Sequence, residues 1–118
     1  MRKVLRGILD STPGALAACL SGLDGVSVEV EMENEALDPD QLAAELATLT
    51  NAANRTMGAL GSGPVVKYSF TTERYQVFVD TIGGRYLLSL VAERAADARR
   101  AQVELNKAVV KLALELGV

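Results

Sequence analysis

Apolar and polar side chains alternate along residues 26–32. Val26, Val28, Val30 and Met32 fall on one side of an extended strand, and Ser27, Glu29, Glu31 and Glu33 fall on the other. A period of two marks a strand with one buried face and one wet face. Three carboxylates on the wet side repel a second strand or an acidic partner, so the run is expected to form a guarded sheet edge. Upstream, Val4, Leu5, Ile8 and Leu9 recur at helical spacing opposite Arg2, Lys3 and Arg6, which predicts a short amphipathic helix. Thr12-Pro13-Gly14 ends it, because Pro13 biases Thr12 away from helical angles and Gly14 permits a turn. Residues 15–21 read as a buried strand, and Gly22-Leu23-Asp24-Gly25 as the tight turn into the alternating strand.

After a loop at 33–37, Asp38 is placed as a helix N-cap, Pro39 suits the first helical position, and Gln41 sits where a capping box wants it. This helix is expected to reach about residue 60. Leu42, Leu46, Leu49, Ala53 and Met57 make one apolar stripe on it, read as the core face. Ala44, Ala47, Asn51 and Arg55 make a second stripe of small and polar residues, which points to another helix lying close against it. Residues 58–64 hold three glycines and a proline and read as a loop. Strands follow at 65–70, 75–82 and 85–91, the last two joined by Gly83-Gly84. The near-continuous apolar run at 85–91 fits a central strand covered on both faces. A last helix from about Ala95 carries Ala98, Ala101, Leu105, Val109, Leu112 and Leu116 as its core stripe.

The order is α-β-β-α-β-β-β-α, an α+β chain with a mainly antiparallel sheet. Its 118 residues fit one domain spanning 1–118, long enough for one core. A net charge of −3 argues against a nucleic-acid binder, which would normally carry a basic face. The charge is uneven. Acidic residues dominate the first half, while Arg99, Arg100, Lys107 and Lys111 gather on the last helix. That helix offers a docking face for an acidic partner or a membrane surface, against the plainer reading of a solvated face offset by Glu104 and Glu115. No apolar run approaches the ~20 residues of a membrane span, and no signal-peptide core follows the basic N-terminus, so a cytoplasmic protein without membrane insertion is expected.

Chemistry is scarce. With no histidine, Ser-His and Cys-His nucleophiles and a zinc site are not expected. Cys19, among Ala17, Ala18 and Leu20, reads as a buried, inert thiol. The 58–64 loop lacks the Lys and Ser/Thr of a phosphate-binding loop and follows a helix rather than a strand. No catalytic, cofactor or metal residue is assigned. Arg55 admits two readings, an interface arginine or one supplied in trans to a GTPase.

The order of elements, Pro13-Gly14 before the first strand, Gly22-Leu23-Asp24-Gly25-Val26 and the Leu42-Ala43-Ala44 helix start together resemble the roadblock/LC7 family over nearly the whole chain. That resemblance implies a five-stranded antiparallel sheet with helices on both sides. It also implies a homodimer that joins third strands and packs second helices, with Ala44, Ala47, Asn51, Arg55, Val66 and Tyr68 at the matching interface positions. Within the family the chain is similar to the bacterial MglB and MglC branch. Its end at Val118, without the extra residues of MglB-like proteins, and residues 22–28 favour the MglC-like side. The implied role is a non-enzymatic adaptor in a Ras-like (MglA-like) GTPase system of cell polarity or motility, binding an MglB-like roadblock regulator. Direct GTPase activation is the alternative. A small-molecule sensor fits less well, because the expected core is nearly all Leu, Val, Ile and Ala. Glu29, Glu31 and Glu33 on the strand, and Arg99 and Arg100 on the last helix, are the candidate partner-binding groups.

Overall fold

A computed structural model describes residues 1–35 and 37–118; the expected loop at 33–37 includes Ala36, which lies outside them. The elements follow the expected order: α1 (Arg2–Ser11), β1 (Ala15–Gly22), β2 (Ser27–Met32), α2 (Pro39–Gly58), β3 (Lys67–Thr71), β4 (Tyr75–Ile82), β5 (Tyr86–Glu93) and α3 (Ala98–Leu116). The five strands form one sheet in the order β2-β1-β5-β4-β3, with every neighbouring pair antiparallel. The apolar run of β5 takes the centre, where Leu87, Leu88 and Leu90 are each 0% exposed.

Two cores sit on the two faces of the sheet. On one, α1 and α3 cover Ala18, Leu20, Phe78, Ile82, Leu88 and Leu90. On the other, Leu46 and Ala47 of α2 pack against Ala17, Val77, Val79, Leu87 and Val91. The helix starts are set by side-chain caps: Asp38 accepts from the amides of Asp40 and Gln41 at 3.0 and 3.2 Å, and Asp97 from those of Arg99 and Arg100 at the same distances. The Asp97 cap also moves the start of α3 to Ala98, three residues after the expected one.

Two expectations change. β3 begins at Lys67 rather than at 65, because the lead-in is held by side chains. Asn54 Oδ1 accepts from the Val65 amide at 2.7 Å, and the Thr81 hydroxyl donates to the Val65 carbonyl at 3.0 Å. Val66 therefore precedes the strand and is 66% exposed. The alternation of β2 also fails to separate a dry face from a wet one. A bulge between Leu20 and Ser21 sets Ser21 opposite Ser27, and Val26 and Val28 are 62% and 43% exposed beside it.

Candidate functional site

The site assigned from sequence centres on α2, and the buried face of that helix draws on both expected stripes, Leu46 from one and Ala47 from the other. The stripe buried in the chain's own core is Ala43, Leu46, Ala47 and Thr50. Ala47, assigned to a partner interface, is 4% exposed and packs inside the molecule. Asn51 donates its side-chain amide to the Leu23 carbonyl at 3.0 Å. Ala44 and Ala47 are small because the Gly22–Gly25 turn rests on them. A Cβ added at Gly25, which lies at φ +86°, would stand 3.3 Å from Ala44 Cα and 3.6 Å from Ala47 Cβ. The small-residue signal was real, but the close neighbour is this chain's own hairpin turn. Arg55, one turn before the end of α2, remains exposed.

Of the stripe assigned to the core, Leu46 is buried and Leu42 packs against the same core, while Leu49 and Met57 turn outward. Leu49 and Met57 are 45% and 38% exposed. α2 lies over β1 and β2, so the same face of β3 and β4 is left partly bare. There Leu42, Leu46, Leu49 and Ala52 of α2 and Phe70 and Val77 of the sheet line an apolar groove of about 520 Å³. Phe70 is 38% exposed, and Val66 and Leu60 are 66% and 73% exposed. β3 is an edge strand with one neighbour, so its outer backbone groups are available for pairing. An apolar groove and an open edge thus lie side by side. Tyr68, assigned to the interface, fixes their relative position: its hydroxyl and that of Thr50 hydrogen-bond at 2.7 Å, and burial pushes the phenol pKa up.

The acidic strand is not a free surface. Glu29 and Glu31 face α1 and are half-buried beneath it. Arg2 Nε lies 3.2 Å from Glu29 and 3.7 Å from Glu31, and Arg6 pairs with Glu31, Glu33 and Asp10. The arginines that seemed to form the solvent face of α1 are the counter-ions of β2. Arg99 is exposed, and Arg100 Nε donates to the Ser11 carbonyl at 2.6 Å, so it holds the end of α1 against α3.

Two buried titratable groups lie away from these surfaces. Cys19 is buried under α2, and burial raises its thiol pKa, so little thiolate is present to react. Asp80 is 3% exposed on the α3 side; burial raises its pKa, against the opposing pull of Lys67 and of the Gln102 amide at 3.3 Å. Among the described residues, no three His, Cys, Asp or Glu side chains gather as a metal site, and no helix is long and apolar enough to cross a membrane.

Leu49, Met57 and Phe70 are the residues that sequence reasoning gave to the wrong surface or passed over. No local signal separates Leu49 from the core: Leu46 and Leu49 are equally apolar, and the packing of Gly25 on Ala44 and Ala47 sets the rotation of α2.

No family model matches the sequence, and no curated protein matches it significantly. Solved structures do. A roadblock/LC7 domain from Streptomyces avermitilis superposes with a TM-score of 0.89 at 24% identity, covering 100% of this chain and 98% of its own. The gliding protein MglB from Thermus thermophilus gives 0.84 at 27% identity, over 94% of this chain and 84% of its own. MglC from Myxococcus xanthus gives 0.69 at 23% identity, over 96% of each chain.

Proposed function

We propose that this chain, which has the roadblock/LC7 fold, is a homodimeric regulatory adaptor without enzymatic activity. It acts in a Ras-like GTPase system of bacterial polarity or motility by binding an MglB-like roadblock regulator. The observation that carries the dimer is the apolar groove beside the unpaired edge of β3. Two copies related by a two-fold axis extend the sheet through β3 and cover Leu49, Met57 and Phe70 with each other's α2. Val66 and Arg55 lie at the margin of that contact. Ala44, Ala47 and Asn51 support it indirectly, by seating α2 on the Gly22–Gly25 turn. The likeness to MglB and MglC supports the regulatory role.

A second reading, direct activation of the GTPase, is supported by the closer superposition on MglB than on MglC and by the exposure of Arg55. Calorimetry against the MglB-like and MglA-like proteins of the same cell tests both. Binding to the regulator with unchanged GTP turnover is the expected result. Binding to the GTPase alone with faster turnover selects the activator. Binding to neither refutes the functional reading.

A further inference from the structure

The outer surface of α3 is used neither by the fold nor by the proposed dimer. The helix sends Ala101, Leu105, Ala108 and Leu112 into the core. Turned away from them, Val103, Val110 and Leu114 are 46%, 62% and 79% exposed. A helix with one face already buried gains nothing for its own fold from an outward apolar line. Beside that line Arg100, Lys107 and Lys111 follow at helical spacing, and Lys3 of α1 stands across a shallow groove from the two lysines.

Among the described residues, no carboxylate lies within ion-pair distance of Lys3, Arg99, Arg100 or Lys111. The acids on this side are engaged. Glu104 faces Lys107 at 3.7 Å, Glu115 holds the N-terminal amine of Met1 at 2.7 Å, and Asp97 caps α3. The Arg100 hydrogen bond to the Ser11 carbonyl fixes that side chain without neutralising it.

We propose that this face docks the protein on an anionic lipid bilayer. Val103, Val110 and Leu114 enter the headgroup boundary and the flanking cations meet the lipid charges. Charge complementarity names the occupant: the chain carries −3 overall, yet Lys3, Arg99, Arg100 and Lys111 stand on this face without a carboxylate partner among the described residues. Shape separates a bilayer from an acidic protein helix. A helix needs a groove to lie in, and the groove between α1 and α3 holds only about 120 Å³. The exposed apolar groups stand instead on a convex ridge, which a flat, deformable surface meets. Only the valency rests on the dimer proposed above. Two α2 helices that pack together share one side of the joined sheet, so both α3 ridges face the other side and reach one plane.

Flotation of the full chain with vesicles of phosphatidylglycerol and phosphatidylcholine in equal parts, and with phosphatidylcholine alone, tests this. The protein is expected to float with the anionic vesicles only, and to be released by salt. Arg99→Glu with Lys111→Glu should lower partitioning by about tenfold or more. Leu114→Ser should lower it several-fold at low salt, with unchanged melting. Failure of the wild type to float with anionic vesicles overturns the proposal, as does undiminished flotation of the double variant. So does a double variant that loses only a soluble acidic partner. Light scattering on the same samples separates the two readings: a dimer that ignores vesicles overturns the docking face alone, and a monomer that floats overturns the dimer alone.

Discussion

Replacing Gly25 by alanine should destabilise the protein more than replacing Gly84 by alanine, although both glycines have positive φ. Gly25 lies at +86° and Gly84 at +68°, so each substitution forces an L side chain into the left-handed region at a cost of about 1–2 kcal/mol. At Gly84 the new Cβ meets nothing within 4 Å, and the conformational cost is the whole effect. At Gly25 the Cβ meets Ala44 Cα at 3.3 Å, a backbone atom of α2 that cannot swing aside. Crowding of this kind adds about 1–3 kcal/mol, for a total near 2–5 kcal/mol. In a chain of this size 1 kcal/mol moves the melting temperature by roughly 4 °C, so the two variants should separate by about 4–12 °C. Urea and thermal unfolding followed by circular dichroism measure this directly. Equal destabilisation of the two variants would refute the claim that the hairpin turn seats α2, and with it the explanation given for Ala44 and Ala47.

Asp80 has its folded-state pKa raised by burial, so the folded state holds this proton more tightly than the unfolded chain does. Its contribution is greatest below the ordinary carboxylate pKa and is lost as pH rises through the raised value; Asp80→Asn should therefore flatten the fall in stability on going from acid to neutral pH, as urea titrations across that range would show. Leu105→Ala, at a side chain 0% exposed on the core face of α3, should cost about 2–5 kcal/mol in urea unfolding. Purified protein should turn over no GTP, and activity that survives repurification would contradict the adaptor reading.

Most of the fold was legible because its signals are local. The Asp38-Pro39 start, the Gly83-Gly84 turn and the apolar run of β5 each act within a few residues, and each lies where the pattern placed it or within three positions. The rotation of α2 about its own axis was not legible. Leu49 and Leu46 look equally fit for a core in sequence; only the packing of Gly25 on Ala44 and Ala47 turns Leu49 outward. The acidic strand misled for a similar reason. Glu29 and Glu31 read as solvated until α1 brings Arg2 and Arg6 across them, a pairing between residues about 27 positions apart. Surfaces are set by such distant pairings, so the candidate site moved along the helix while the elements that carry it stayed in place.

The face formed by α2 and β3 is tested most directly by light scattering of the wild type beside Leu49→Glu. The substituted side chain is 45% exposed in the single chain, so the variant should still fold, with the wild-type circular dichroism spectrum. The account predicts a wild-type mass of twice the 12.5 kDa chain and a variant mass equal to the chain. A wild type that stays monomeric at the highest attainable concentration, or a Leu49→Glu variant that remains dimeric, would contradict it.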